Sequence, residues 1–286
     1  MNIVAGATEA DVAQLDLKPL SPTIGAEVQS IDLTTDVSDA QIAALRSALL
    51  EWKVLFFRDQ EITREQHIAF AGKFGALEIH PLTAPDQPNP EVLRIAHDEN
   101  SKGSENLWHS DVTWRPEPSL GSILRALEVP EVGGDTLFCN MYAAYDGLSE
   151  KMKEFVCGLT AEHSFMRAFG GFIPAEEQAV TREKHPEQIH PVVRTHPETG
   201  RKGLYVNVAF TDQILGLEPR ESDDLLQHLY AQARIPEYQC RFRWEKNSLA
   251  FWDNRACQHY AASDYFPQKR EMERVTIIGD RPFYRA

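Results

Sequence analysis

Short apolar runs with polar, glycine or proline punctuation recur along this chain, and that rhythm limits the folds open to it. Val54-Leu55-Phe56-Phe57, Val92-Leu93-Arg94-Ile95, Asp135-Thr136-Leu137-Phe138, Leu204-Tyr205-Val206 and Leu249 to Trp252 are examples. The run Ser122 to Pro130, the stretch His190 to Val193, Cys240 to Trp244 and Glu273 to Ile278 extend the series. Runs this short, rich in β-branched and aromatic residues, predict strands. Helical periodicity is confined to a few places. Ser38 and Gln41 form a capping box ahead of Ile42, Leu45 and Leu49, and Thr63 with Gln66 repeats the signal before Ile68, Phe70 and Phe74, with Gly75 as the stop. Met141 to Leu159 and residues 221–234 complete the helical set. Strands do not alternate with long helices, so the pattern predicts an all-β core with helical additions, a barrel or jelly roll. With no linker or internal repeat, the simplest partition is one catalytic domain with a helical insertion around residues 141–188. Residues 1–16 are expected to fray, and Ile79 to Pro90, with prolines at 81, 85, 88 and 90, to form a loop.

Composition narrows the function. The 286 residues carry 43 acidic against 29 basic side chains, a net charge of −14, which disfavours a broad nucleic-acid footprint. No apolar run approaches the roughly 18 residues of a membrane span. The opening MNIVAGATEADVAQ lacks the basic and apolar regions of a secretory signal. Cys139, Cys157, Cys240 and Cys257 form no CxxC and read as reduced core residues of a cytoplasmic protein.

One stretch carries chemistry: Trp108-His109-Ser110-Asp111-Val112-Thr113-Trp114. On an extended strand His109 and Asp111 share a face, about 7 Å apart at the backbone, so their side chains can lean onto one metal ion. Alone, the pair also fits a hydrogen-bonded couple under a rim. His259, inside FWDNRACQHYAASDY, offers a third ligand just after a buried-looking strand. Two imidazoles and a carboxylate suit ferrous iron and leave coordination positions open. Arg270 and Arg274 fall on one face if their segment is extended, roughly 13 Å apart. Each is then able to clamp an acidic group at a different end of a pocket.

The ordered set WHSDVTW, GGDTLF, HPVVRTHPETGRKGLYVN, FWDNRACQHYAASDY and PQKREMERVTIIGDRPF resembles the TauD/TfdA family of iron(II)- and 2-oxoglutarate-dependent dioxygenases. The resemblance runs from about Leu17 to Tyr284. It implies a double-stranded β-helix, with His109, Asp111 and His259 as iron ligands. It places 2-oxoglutarate against Thr136 and Arg270, with O2 as the oxidant and succinate and CO2 as co-products. It also implies a small anionic substrate and self-association as a dimer or tetramer.

For the substrate, the taurine-oxidising branch points to His80 and Arg274 on a sulfonate, with Trp108 and Phe169 as flanking aromatics. Two positions depart from it. Thr83 stands where taurine-like members carry a tyrosine, and Glu105 stands where they carry an asparagine, with Asn106 one place nearer the triad. Loss of the tyrosine at 83 opens space for a longer tail. GLTAEHSF, FGGF and GRKGLYVN are similar to members that oxidise aryloxyalkanoates. The expectation is therefore an organosulfonate or alkyl sulfate, with an aryloxyalkanoate as the alternative. A non-catalytic jelly-roll binding protein and a cupin-like iron enzyme without 2-oxoglutarate are the other classes.

Overall fold

The computed structural model describes residues 15–80, 83, 87–103 and 105–286. The fraying expected up to residue 14, and the loop prolines 81 and 85, lie outside the described residues. The N-terminal part carries β1 (Leu17–Pro19), β2 (Ala26–Val28), α1 (Asp39–Trp52), β3 (Val54–Phe57), α2 (Arg64–Gly72) and β4 (Val92–His97). The middle holds β5 (Gly121–Glu128), β6 (Thr136–Asn140), α3 (Met141–Asp146), α4 (Glu150–Val156), β7 (Thr160–His163), α5 (Phe165–Phe169) and α6 (Gln178–Lys184). Then come β8 (Gln188–Pro191), β9 (Val193–Thr195), β10 (Lys202–Leu204), β11 (Thr211–Ile214) and α7 (Pro219–Gln232). The chain ends with β12 (Gln239–Phe242), β13 (Leu249–Asp253), β14 (Cys257–Ala261) and β15 (Arg270–Ile277).

Alternation explains why these runs become strands. A seven-stranded sheet has the order β1-β2-β3-β13-β5-β15-β4, and a three-stranded sheet the order β12-β6-β14. Along β3, Leu55 and Phe57 join Ile123, Phe251, Val275 and Ile277 against α1 and α2. The intervening Val54 and Phe56 join Leu124, Ala250, Trp252 and Met272 and meet Phe138, Phe242 and Cys257 of the smaller sheet. Phe56 stacks on Phe242 with ring centroids 4.0 Å apart. Both faces of the large sheet are thus buried, which is why its runs are continuously apolar. The far face of the small sheet, through Cys139, packs with α3 and α7.

The expected capping boxes at Ser38 and Thr63 are both formed. Several boundaries move. The stretch from Met141 breaks after Gly147 because Ser149 caps a new helix, its hydroxyl accepting from the Met152 N–H. The expected insertion at 141–188 is not wholly helical: β7 lies within it and pairs with β8 and β11. His259 does follow the buried β13, but it lies inside a further strand, β14, paired with Phe138 of β6. The last strand begins at Arg270, three residues earlier than the apolar run suggests.

A buried ion cluster ties the end of β13 to the turn after β9. Asp253 accepts from His196 Nε2 at 3.0 Å and from Arg255 Nε and Nη2 at 2.9 Å each. Arg255 reaches Glu198 at 2.8 Å, and Glu198 reaches Arg46 of α1 at 3.0 Å. Burial works to raise the Asp253 carboxyl, yet the Arg255 charge and the hydrogen bond from His196 hold it well below the usual range. A depressed carboxylate stabilises the fold above its unfolded value near 4 and loses that contribution as pH falls. Asp253→Ala should cost about 3–5 kcal/mol in urea unfolding at pH 7 and flatten the acid limb of stability. An unchanged midpoint would show that the cluster contributes nothing.

Candidate metal centre and active site

The site forms where the two sheets face each other at one end. His109 and His259 exchange both backbone hydrogen bonds, at 3.1 and 2.8 Å. This lone antiparallel bridge sets the two imidazoles side by side, with ring centroids 4.1 Å apart. The stretch is not the extended strand that its aromatic and β-branched residues suggest. After His109 the chain turns, Val112 adopts φ +48°, and the Arg115 N–H bonds the Val112 carbonyl at 2.9 Å. A β-branched residue there is strained, so the surroundings must impose it. Asn254 supplies the constraint: its Oδ1 accepts from the Asp111 N–H at 2.7 Å and its Nδ2 donates to the Asp111 carbonyl at 3.0 Å.

That turn brings Asp111 Oδ1 to 3.9 Å from the Nε2 of both His109 and His259. Ligand atoms from the three residues lie within 4.8 Å of one another. His109 Nδ1 donates to the Leu107 carbonyl at 2.7 Å, so its Nε2 lone pair faces the centre. His259 lies between Trp252 and Phe138, and burial, reinforced by the neighbouring His109, pushes its imidazole down to about 3. It therefore stays neutral, as a ligand must. Asp111 is drawn far below its ordinary value despite burial, because Arg274 and the two imidazoles favour the carboxylate. Arg274 Nη1 donates to Asp111 Oδ1 at 2.8 Å and Ser122 Oγ to Oδ2 at 3.1 Å. The donor set, its geometry and its protonation fit a divalent metal with open coordination positions.

Beside the triad is a small cavity of about 60 Å³ lined by Thr136, Arg270 and Arg274, with Leu124 and Ile95 on its apolar wall. Thr136 Oγ1 accepts from Trp244 Nε1 at 2.9 Å. Arg270 is 5% exposed, and its Nε and Nη2 are buried without a hydrogen-bond partner. A buried guanidinium with idle donors awaits an acid. Its methylenes lie on Gly134, where φ is +69° and a Cβ would come 3.2 Å from Arg270 Cδ. Gly134 therefore makes room for this side chain.

The remaining candidates are spread around this centre. His80 is half-buried, and burial together with the charges of Arg274 and Arg115 pushes it down to about 4. The Thr83 N–H bonds the His80 carbonyl at 2.8 Å. Phe169 packs near Phe210, whose ring lies 6.3 Å from His109. Trp108 is buried against Tyr260 in the cluster on the outer side of the small sheet, away from the cavity lining. Asn106 is exposed. Sequence reasoning missed Ser122 and Asn254. Asn254 directly follows the buried strand Leu249–Asp253, where a buried amide is a readable signal; Ser122 carries none.

The family model "Taurine catabolism dioxygenase TauD, TfdA family" matches residues 16–276. The chain belongs to the TauD/TfdA family. An alkylsulfatase of Acinetobacter baylyi is 37% identical over 276 residues, covering 93% of this chain and 86% of the relative. An (S)-phenoxypropionate/alpha-ketoglutarate-dioxygenase of Sphingobium herbicidovorans is 38% identical over 276 residues, covering 93% and 95%. The crystal structure of a taurine dioxygenase from Burkholderia xenovorans superposes with a TM-score of 0.82 at 40% identity, covering 94% of this chain and 91% of that one. With its triad formed, the family member described here is an iron(II)- and 2-oxoglutarate-dependent dioxygenase acting on a small anionic substrate.

Two substitutions test the centre. His109→Ala should abolish the thermal shift on adding Fe(II) or Mn(II) while leaving the metal-free melting temperature nearly unchanged. Ser122→Ala, which frees one Asp111 oxygen, should weaken metal binding about 10-fold in anaerobic calorimetry. Wild-type affinity in the Ser122 variant would remove that hydroxyl from the centre.

Proposed function

We propose that this dioxygenase hydroxylates the carbon bearing the heteroatom of a small organosulfonate or alkyl sulfate. The hydroxylated product collapses to an aldehyde with release of sulfite or sulfate, while 2-oxoglutarate yields succinate and CO2. The observation that carries this reading is the pair of guanidiniums on one face of β15. Arg270 and Arg274 both line the cavity, and each retains a buried Nε without a partner. Two separate cationic positions beside one metal centre suit two acids, the co-substrate and the substrate.

Bound iron supplies oxygen activation coupled to decarboxylation of the keto acid. The chain's residues do the rest. His109, Asp111 and His259 hold the metal, and Arg270 with Thr136 orients 2-oxoglutarate by its distal carboxylate. Arg274 and His80 fix the substrate's acid group, which places one C–H bond over the open coordination position. Leu124, Ile95 and Trp252 keep water from that position. No side chain needs to act as an acid or base in the oxidation itself. In the same proposal the facing sheets form a double-stranded β-helix and the protein assembles as a dimer or tetramer.

The alkylsulfatase relative supports a sulfate ester, and the phenoxypropionate relative supports an aryloxyalkanoate as the second reading. A panel of sulfonates, alkyl sulfates and aryloxy acids, followed by succinate formation and by released sulfite, sulfate or phenol, decides between them. Turnover of aryloxy acids alone would overturn the first reading. Arg270→Ala should raise the KM for 2-oxoglutarate about 10- to 100-fold and leave that of the substrate nearly unchanged. Arg274→Ala should do the reverse; identical effects of both variants on the two constants would refute the division of roles.

A further inference from the structure

The turn that aims Asp111 is held from a second direction, by a buried segment that supplies no metal ligand. Thr113, two residues after Asp111, is fully buried, and its Oγ1 accepts from Asn207 Nδ2 at 3.1 Å. His163 Nδ1 lies 2.9 Å from the same oxygen. Two residues further on, the Arg115 carbonyl accepts from His190 Nε2 at 3.0 Å. The strained Val112 packs into one apolar cluster with Ala209 and Phe210 of the Asn207 segment. The turn is thus fixed twice, Asn254 acting on residue 111 and Asn207 on residue 113.

Asn207 has a second attachment. Its Oδ1 accepts from the Phe210 N–H at 3.0 Å, its carbonyl accepts from the Thr211 N–H at 3.1 Å, and its own N–H donates to Thr211 Oγ1 at 2.9 Å. An asparagine that bonds the backbone a few residues on is an ordinary turn device, and the Oδ1 contact alone asks for no more than that. The Nδ2 donor, however, is spent on a residue 94 positions away. The turn that Asn207 closes presents Phe210, whose ring meets the His109 imidazole edge-on, with centroids 6.3 Å apart and planes at 74°. Asn207 and His163 are fully buried, and burial, with His190 beside it, holds the His163 imidazole well below its ordinary pKa, so this network is uncharged. A buried amide bonded at both ends has one orientation.

We propose that Asn207 is a positioning residue of the metal centre. Through Thr113 it fixes the turn that carries Asp111, and through Phe210 it fixes the ring against which His109 rests. One amide therefore couples the two ligands of the Trp108 stretch, while the third, His259, is set by the pairing of β14 with β6. Asn207 acts by narrowing the positions open to Asp111 and His109. A ligand freed from that restraint binds the metal more weakly and changes the field the metal experiences. The assignment rests on the iron centre and is independent of which acid is oxidised.

Thr113→Val is nearly isosteric and removes the oxygen that Asn207 bonds; Thr113→Ser keeps it. Affinity is read by anaerobic calorimetry with Fe(II) and with Mn(II), and geometry by the visible band of the Fe(II)–2-oxoglutarate holoenzyme. Thr113→Val should weaken metal binding about 10-fold and shift the band, while Thr113→Ser keeps the wild-type affinity and band. Asn207→Ala cuts both attachments and should weaken binding further. Its effect should shrink in the Thr113→Val background, because the two substitutions remove one shared hydrogen bond. The metal-free melting temperature of each variant reports folding separately. A folded Thr113→Val protein with wild-type affinity and band would overturn the assignment, even if its melting temperature falls, since the role is then purely structural. Additive effects of the two substitutions, or a Thr113→Ser protein that behaves like Thr113→Val, would do the same. If neither Thr113→Val nor Asn207→Ala folds, wild type decides: Mn(II) should slow amide exchange in residues 207–211 together with 111–115. Protection confined to 111–115 would overturn the proposal.

Discussion

The backbone bridge between His109 and His259 is the constraint from which the site follows. It joins a loop-borne histidine to a strand-borne one, so β14 dictates where His109 sits. Strand pairing holds backbones within a few tenths of an ångström, which is the tolerance a metal site requires. Once that bridge is set, the third ligand has one route into the centre. The chain must turn sharply after Ser110, and the left-handed Val112 records the cost. Asn254 offsets it by satisfying both backbone groups of Asp111, and it comes from the connection between β13 and β14. β14 and the connection that leads into it therefore supply one ligand, align the second and clamp the third.

Charge is managed in a consistent way across the molecule. Several buried or half-buried guanidiniums are each matched by a carboxylate: Arg274 by Asp111, Arg115 by Glu78, Arg255 by Asp253, Arg194 by Asp280. Arg125 instead reaches the Asn247 amide oxygen at 3.4 Å, and Arg270 has neither kind of partner at its Nε and Nη2. Burial lowers its pKa, and the groups that act to raise it, Tyr265, Glu105 and Asp135, do not hydrogen-bond its idle Nε and Nη2. An isolated buried cation is among the least favourable elements a fold can carry, and this supports the proposal that the keto acid's distal carboxylate completes Arg270.

Much of this was legible in the sequence because the deciding signals are local. The capping boxes at Ser38 and Thr63, the apolar run of β3, and the even spacing of Arg270 and Arg274 each depend only on neighbours. The ligand triad was legible because few residue types can bind iron and their order is distinctive. The extended reading of the Trp108 stretch failed for a long-range reason. Val112 and Thr113 favour strands by propensity, but a side chain 143 positions away imposes the turn. Trp108 misled in a related way. An aromatic next to a ligand looks like a substrate wall, yet in an extended backbone its side chain points opposite to that of His109, and the far side of the small sheet takes it. Ser122 was hidden because a serine within a strand has no pattern of its own.

In the proposed division of roles, the same alternation lets one strand serve both acids without confusing them. On β15 the residues 270, 272, 274 and 276 face inward, and each meets a different layer. Arg270 lies over Gly134, Met272 enters the core between the sheets, Arg274 reaches Asp111, and Thr276 approaches Ser122 at 3.3 Å. Met272 is the spacer: a fully buried apolar side chain between two cations keeps them roughly 13 Å apart along the strand and prevents one carboxylate from bridging both. Shortening that separation by one residue would turn one arginine to the opposite face, into the layer shared with α1 and α2. A site for two acids on one strand therefore depends on an even spacing and an apolar residue between the charges, and the sequence Arg-Glu-Met-Glu-Arg meets both conditions.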